Sequence, residues 1–388
     1  MDTDPGVRRG FSTKTDASEA VDEIWEQTFQ PDAKLTVFFC SSWYDLDKLA
    51  SRVRERFGNA NVVGCTTSGE IGPNGYLERS MSAFSLGGPS FEAATGRIDN
   101  LTQFGIEDGR VAVSKLLSEL SAKGVRPTPQ NTFGFQLSYH LSQREDLVTA
   151  ALFDAMSGIP LFGGAAGDDL RFENQIFLFH EGKFRSDCWL LNLVSTSRRF
   201  ELFMTKNFVG RGEKLVITSS DTANNLVLEI NGAPAAEEYA NALGLNVEDL
   251  TTQVFAAHPA LVNVQGEMHA RPIHKANEDG SLLFGLSIAE GVILMVGESI
   301  NIVDDLQRAF DELHMKLGKP ALTIVCDCAY RRLEITQKGY VEPISHILKN
   351  NNSVGFCTYG EQIGPVAAGQ TFVAMAISDN KRADPIAK

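Results

Sequence analysis

A glycine-rich motif occurs twice in this sequence, at residues 61–73 and again at residues 353–365. Both copies contain Gly, Cys-Thr, Gly-Glu and Ile-Gly-Pro in the same order, with one residue inserted in the second copy. Each copy begins as an apolar run and breaks into a turn of small residues, which is typical of a buried strand that ends at a turn or a site. Residues 161–169 resemble a degenerate third copy. A motif repeated in this way predicts an internally duplicated fold.

The elements around the motif also recur. A strand at residues 35–40 precedes a helix that Asp45 opens and Gly58 ends, and the first motif copy follows. Residues 80–86 and 91–98 are predicted to form two strands joined as an antiparallel pair. Strands that alternate with helices and also meet in hairpins predict an α/β (α+β) fold with mixed, largely antiparallel sheets and helices layered on the outer faces. Two sheets packed face to face would accommodate the duplication.

The length of the chain predicts more than one domain. A chain of 388 residues exceeds the size of most single domains. Residues 220–225 are polar and lack a hydrophobic period, which predicts a boundary there. The sequence therefore predicts an N-terminal segment and helix at residues 1–32, a first domain at 33–222 and a second domain at 223–388.

Charge and composition exclude several classes of function. The net charge of −14 and the lack of a Lys/Arg cluster argue against binding to nucleic acid or to an anionic membrane surface. No window approaches the roughly 20 apolar residues of a membrane span, and the polar, acidic start is unlike a secretory signal. Six cysteines without a Cys-x-x-Cys pair are typical of reduced, packed thiols. We therefore expect a cytoplasmic protein.

The cysteine of the motif is the first candidate for chemistry. Cys65 follows a glycine at the predicted strand end, but no histidine is close in sequence to lower the pKa of its thiol. Cys357 has the same place in the second copy, and a duplicated packing residue is a simpler explanation than a duplicated nucleophile. We expect both cysteines to pack or to line a ligand site. A cysteine-dependent enzyme is the alternative.

Other candidates for ligand binding lie in the turns that follow the strands. Glycines at strand ends allow a ligand to approach the backbone, and free amides there can bind anions. The same glycines can equally serve only to make the turn. A guanidinium group could bind a carboxylate. Besides the cysteines, the candidates are the motif residues Thr66, Gly69, Glu70 and Glu361, the third-copy residues Gly164 and Asp168, and Arg271.

Three of the seven histidines are candidate metal ligands. Imidazole suits iron and zinc, although a single histidine is more often a surface or hydrogen-bonded residue. His180 lies in an apolar hairpin, His258 precedes a proline in an apolar run, and His269 shares a predicted strand face with Arg271. If a metal or haem iron is bound, we expect only one of these three histidines to bind it.

The motifs point to a known family. The two glycine-rich copies, together with Leu-Glu-Ile-Asn-Gly-Ala-Pro at residues 228–234, resemble the FIST proteins over residues 35–377. These are prokaryotic signal-transduction proteins with FIST_N and FIST_C domains, which sense small ligands. The resemblance implies a non-catalytic sensor.

This two-domain form, without a fused kinase, cyclase or methyl-accepting module, resembles the stand-alone FIST proteins of the NosP type. That resemblance implies haem as cofactor, nitric oxide as signal and a histidine kinase of a two-component system as partner, and it assigns no particular histidine to the iron. The resemblance to other FIST proteins implies instead that the ligand is an amino acid or a similar metabolite and that no haem is bound. An adaptor without a ligand is a further alternative, and the oligomeric state is left open.

Overall fold

Three sheets of the protein repeat one order of elements. The computed structural model describes residues 6–139, 144–171, 173–264, 267–285 and 288–381. Within these ranges the chain forms three six-stranded sheets and one eight-stranded sheet. Each six-stranded sheet contains one parallel pair of strands, and its other pairings are antiparallel. The predicted mixed α/β class with largely antiparallel sheets is confirmed.

The first repeat has two helices within a set of six strands. In chain order its elements are β1 (Val7–Ser12), α1 (Ala17–Thr28), β2 (Ala33–Ser41), α2 (Leu46–Phe57), β3 (Val62–Thr67), β4 (Glu70–Gly72), β5 (Gly75–Leu77) and β6 (Met81–Gly87). The predicted ends of α2 are confirmed. The Asp45 carboxylate accepts a hydrogen bond from the Lys48 amide, and Gly58 ends the helix at a φ of 56°.

The second repeat follows the same order. Its elements are β7 (Phe91–Asp99), α3 (Ile106–Ala122), β8 (Thr132–Ser138), α4 (Glu145–Ala155), β9 (Leu161–Ala165), β10 (Leu178–His180), β11 (Lys183–Arg185) and β12 (Cys188–Thr196). The prediction that β6 and β7 form an antiparallel pair is wrong. β6 pairs with β1 and β2, whereas β7 pairs with β12 in another sheet. A short 3₁₀ turn at Gly88–Ser90, which contains a proline, separates the two strands.

The third repeat is interrupted by an insertion. It begins with β13 (Arg198–Thr205). The insertion then contains β14 (Phe208–Asp221), β15 (Leu226–Ile230), β16 (Ala233–Pro234), α5 (Ala235–Leu243), α6 (Thr252–Ala257), β17 (Ala260–Val264), β18 (Glu267–Arg271), β19 (Ile273–Ala276), β20 (Leu282–Phe284) and β21 (Ile293–Ser299). The repeat resumes with α7 (Ile302–Leu317), β22 (Pro320–Cys328), α8 (Ala329–Gln337), α9 (Val341–Asn350), β23 (Ser353–Thr358), β24 (Glu361–Ile363), β25 (Val366–Ala368) and β26 (Phe372–Lys381). We call residues 208–299, which form the eight-stranded sheet, the inserted subdomain.

Each repeat donates a hairpin to the sheet of another repeat. The hairpin β4–β5 pairs with β23 of the third repeat, β24–β25 pairs with β9 of the second, and β10–β11 pairs with β3 of the first. The exchange closes on itself, so we call the three repeats together the ring. The prediction of two sheets face to face is wrong because residues 161–165 form a third equivalent strand that carries its own sheet.

The inner faces of the three sheets form one aromatic core. Phe39 of the first repeat stacks on Phe356 of the third, with ring centroids 4.6 Å apart, and Phe135 packs on Phe162 at 5.0 Å. Separate apolar clusters join the outer faces to the helix pairs α1–α2, α3–α4 and α7–α9. The predicted layering of helices on outer faces is therefore confirmed.

Because the three repeats share one aromatic core, we predict that the stability of the whole ring depends on the packing in that core. Replacing Phe356 with alanine should lower the free energy of unfolding by about 3–5 kcal/mol, because it opens a cavity where the repeats meet. Urea denaturation measures the change. Replacing Met315, whose side chain is 81% exposed, with alanine is the control and should change stability by less than about 0.5 kcal/mol. A small loss for the Phe356 variant would contradict this description of the core.

Candidate functional site

The two copies of the motif contact each other through the exchanged hairpin. Glu70 lies opposite Phe356, and the Cys357 amide donates a hydrogen bond of 2.7 Å to the Gly69 carbonyl. Counting back from the glutamate that begins each hairpin, Cys65 corresponds to Phe356, not to Cys357. The extra residue of the second copy lies after the glutamate, so the expected equivalence of the two cysteines is wrong. The two copies therefore pack against each other and do not enclose a symmetric cleft.

Both motif cysteines are fully buried. Cys65 belongs to the central core, whereas Cys357 follows the core residue Phe356 and so points to the other face of its sheet. Neither side chain is exposed, and burial raises the pKa of each thiol well above its usual range. A thiol in this setting is neutral and inaccessible, which does not suit a nucleophile.

The two motif glutamates fasten the hairpins to the ring. Glu70 accepts hydrogen bonds from the Thr67 hydroxyl and from the amide and hydroxyl of Ser80. Glu361 is bound in the same way by Thr358 and Thr371. Burial raises the pKa of each carboxyl to about 8, although the hydrogen bonds oppose the shift. These hydrogen bonds give both glutamates a structural role at the start of their hairpins.

Three more candidates also have structural partners. Thr66 accepts a hydrogen bond of 3.0 Å from the Phe177 amide beside the exchanged hairpin. Gly164 lies opposite Glu361, where a β-carbon would come within 2.7 Å of the Thr358 side chain. Arg271 is half-buried and donates to the Ala367 carbonyl at 3.4 Å.

A mostly apolar cavity lies between the ring and the inserted subdomain. It has a volume of about 350 Å³, within the range of small-molecule sites. The ring contributes Asp168, Cys328, Tyr330 and Tyr359, and the inserted subdomain contributes Thr252, His274 and Leu283. A narrow extension beside it is lined by Glu145 and Glu361. Of the candidates from the sequence, only Asp168 lines the main cavity.

The cavity is located where the three repeats differ. In the first and third repeats the hairpin begins directly after the motif turn, at Glu70 and Glu361. In the second repeat β9 ends at Ala165, but β10 begins only at Leu178. The described residues 166–171 and 173–177 lie in this interval, and Asp168 among them lines the cavity.

Asp168 organises this segment. Its side chain is fully buried and accepts hydrogen bonds from the amides of Glu173 at 2.8 Å and Gln175 at 3.3 Å. The Tyr359 hydroxyl also donates to this carboxylate. Burial, together with the hydrogen bond to Asp168, raises the pKa of Tyr359 well above its usual range. Asp168 therefore joins the extra segment of the second repeat to the motif turn of the third.

A second polar pair joins the inserted subdomain to the ring across the cavity. The Nδ1 atom of His274 lies 2.9 Å from the Tyr330 hydroxyl. Burial lowers the pKa of His274 to about 4, so the imidazole is neutral at physiological pH. A β-carbon at Gly285 would come within 2.7 Å of Nε2 of His274, so glycine leaves room for the ring. This pair is a direct polar contact between the ring and the inserted subdomain at the cavity.

Helix α8, which carries Tyr330, also contacts the two chain segments that connect the ring to the inserted subdomain. The chain crosses between the ring and the inserted subdomain at residues 206–207 and 300–301, and the Ile300 amide donates to the Asn207 carbonyl at 2.8 Å. Glu334, one turn after Tyr330 on α8, accepts from the Asn207 side chain at 3.0 Å and from the Ser299 hydroxyl. Helix α8 therefore contacts the cavity at one end and both connections at the other.

Among the cavity residues that the sequence analysis missed, three make the polar contacts described above. Tyr359 occupies the place that Ser68 has in the first motif copy, so the change from a small to a large residue was a usable signal. His274 is the third of three histidines close together, after His258 and His269. Tyr330 carries no local signal.

The three histidines that are candidate haem ligands lie outside the cavity. His180 lies half-buried at the outer hairpin beside Glu181, with 3.8 Å between Nδ1 and a carboxylate oxygen. His258 ends α6 with Nδ1 3.3 Å from the Gly297 carbonyl, and His269 lies on strand β18. None of these three lines the cavity between the described bodies, and His274 has its Nδ1 engaged by Tyr330. The three candidate histidines therefore do not fit as ligands of a haem bound in this cavity.

Among the described residues, no group of three or more His, Cys, Asp or Glu side chains is arranged to hold a metal ion. Within the same ranges, none of the helices has the length and apolar character needed to cross a membrane.

Comparisons with known proteins agree with the resemblance noted in the sequence. The model of the FIST N domain matches residues 34–233, and the model of the FIST C domain matches residues 235–364. No curated protein matches the chain. The cavity has walls from both matched segments, since Asp168 lies in the first and His274 in the second.

The raised pKa of Glu361 predicts a pH-dependent contribution to stability. Because the folded pKa of about 8 exceeds the unfolded value, the neutral carboxyl stabilises the fold at low pH, and this stabilisation is lost as the pH rises from about 5 to about 8. Relative to Glu361→Gln, the free energy of unfolding of the natural protein should therefore fall by at least about 2 kcal/mol over that interval. Urea denaturation at several pH values measures it. A difference that does not vary with pH would contradict the assignment.

Burial also predicts that the motif cysteine does not react. In the folded protein at neutral pH, iodoacetamide should leave Cys65 unmodified, because the thiol is neutral and inaccessible. The same protein unfolded in urea is the control and should be modified at Cys65, as mapped by mass spectrometry. Rapid modification of Cys65 in the folded protein would support the enzyme alternative instead.

Proposed function

This chain belongs to the FIST family, and on that premise we propose that it is a non-catalytic sensor whose ligand binds in the cavity between the ring and the inserted subdomain. FIST domains are generally small-ligand sensory domains of signalling proteins. The observation that carries the proposal is the position of the cavity, which has walls from both bodies. A ligand there contacts both bodies at once.

The arrangement around the cavity supports a way for binding to change the protein. A ligand that contacts His274 and Tyr330 together stabilises the arrangement in which the two bodies are close, provided that it binds that arrangement better than others. Tyr330 begins α8, and Glu334 on the same helix binds both connections between the bodies. The proposed output is a shift in how the inserted subdomain sits on the ring.

We propose a histidine kinase as the partner that reads this shift, and the cytoplasm as the compartment. Both follow from the family resemblance. A kinase could recognise the changed junction without any chemistry in the cavity. The cavity thiol of Cys328 supports a non-catalytic role, because burial raises its pKa well above the usual range and leaves it neutral.

The geometry favours an organic ligand over haem. None of the three candidate haem ligands, His180, His258 and His269, lines the cavity. The expectation of haem and nitric oxide stays a prediction with its own spectroscopic test. Arg271 was the candidate partner for an amino-acid carboxylate, but it lies outside the cavity lining and donates to a backbone carbonyl.

Filling the cavity should abolish ligand binding. We expect a panel of metabolites to contain a compound that raises the melting temperature of the natural protein, because a ligand that binds only the folded state stabilises it. Replacing the half-buried Leu283 with tryptophan should remove that rise. Replacing Leu117 with tryptophan is the matched control, because Leu117 lies in an open groove between α3 and α4 and should leave the rise intact.

Two outcomes contradict the proposal. An equal rise in the Leu283→Trp variant places the ligand elsewhere. The second is a haem-reconstituted protein whose Soret band shifts on addition of nitric oxide and is lost in one of the variants His180→Ala, His258→Ala and His269→Ala. That result would establish the haem sensor in place of the cavity account.

A further inference from the structure

The charges around the cavity have one sign. Asp168 accepts hydrogen bonds from two backbone amides and from the Tyr359 hydroxyl. Glu145 and Glu361 add further carboxyl groups in the adjoining extension. No lysine or arginine lines either space among the described residues. The lining therefore contains acidic groups without a cation to bind an anionic ligand.

Two arginines that adjoin lining residues, Arg171 and Arg271, bind other groups. Arg171 donates to the Asp168 carbonyl at 3.2 Å, but its outer nitrogens lie 2.9 Å from the Ser42 hydroxyl and 3.3 Å from the Glu173 carboxylate. Its guanidinium group also stacks over the Trp43 ring at 5.0 Å. Arg271 donates to the Ala367 carbonyl outside the cavity. Neither arginine supplies a positive charge to the lining.

The aromatic groups of the lining favour the opposite charge. Tyr330 and Tyr359 present two phenol rings, and the His274 ring lies 5.9 Å from that of Tyr330. The faces of aromatic rings attract cations, and the attraction grows when the cation is desolvated. Ile176 and Leu283 supply apolar walls for a hydrocarbon body.

We propose that the ligand of this cavity is an organic cation, a protonated or quaternary amine with an apolar body. The inference rests on the proposed function, because it assigns a chemical class to the ligand of the same site. The ammonium group lies near Asp168 and the tyrosine rings, and the apolar part lies against Leu283. The net charge of −14 adds a long-range attraction for cations.

Three probes of similar size and different charge test the proposal. Phenethylamine is a cation, 2-phenylethanol is neutral and phenylacetate is an anion at neutral pH. Isothermal titration and ligand-observed NMR should show that phenethylamine binds at least about tenfold more tightly than 2-phenylethanol and that phenylacetate binds weakest. Binding of phenylacetate as tight as that of phenethylamine would overturn the proposal.

A charge placed in the lining gives an independent test. Thr252 is half-buried at the start of α6, and Thr252→Lys should weaken phenethylamine binding about tenfold and strengthen phenylacetate binding. Ser114→Lys adds the same charge on the exposed face of α3 and is the control for long-range effects. Equal effects of the two variants would show that the cavity does not hold the cation.

These experiments distinguish a failure of the organic-cation assignment from a failure of the proposed sensor function. If phenethylamine fails to bind at millimolar concentration, the assignment of an organic cation is overturned. The proposed function is contradicted instead if no compound of the wider panel raises the melting temperature, if the rise persists in Leu283→Trp, or if the haem result described above is obtained. A neutral or anionic compound that binds in the cavity would therefore support sensing and reject the cation.

Discussion

The structure depends on backbone hydrogen bonds between a hairpin of one repeat and a buried strand of another. Three such pairings link the repeats in a closed cycle, and each places its hairpin beside a strand that carries the glycine-rich motif. A repeat alone would leave that strand edge unpaired, which costs free energy in a buried position. The glycines, threonines and glutamates of the motif are explained by this exchange. Glu70 and Glu361 hold the two regular hairpins in place.

A symmetric ring has no single site, so function requires differences between repeats. The second repeat has lost the motif glutamate and gained the segment that carries Asp168, and the third has gained the inserted subdomain. The cavity lies where these two departures from the repeat meet. Tyr359, which replaces the small Ser68 of the first copy, fills the contact between them. The site therefore depends on the insertions, together with Thr358 and Tyr359 of the second motif copy.

The sequence predicted local structure better than long-range pairing. The ends of α2 at Asp45 and Gly58 and the strands of the motif follow from capping residues and apolar runs, which act over a few positions. The exchange of hairpins could not be read from the chain, because the same turn residues suit pairing within a repeat or between repeats. The cavity depends on contacts such as that between His274 and Tyr330, which are far apart in sequence. The motif drew attention to Cys65, whose place is in the core.

The central claim is that a ligand in the cavity changes the junction between the ring and the inserted subdomain through α8. Hydrogen exchange, measured with and without a compound that raises the melting temperature, tests this most directly. The account predicts slower exchange in α8 and at the two connections near Asn207 and Ser299, and a smaller effect at the connections in Glu334→Gln, which weakens their link to α8. Protection confined to the cavity lining, with unchanged exchange at both connections, would contradict it.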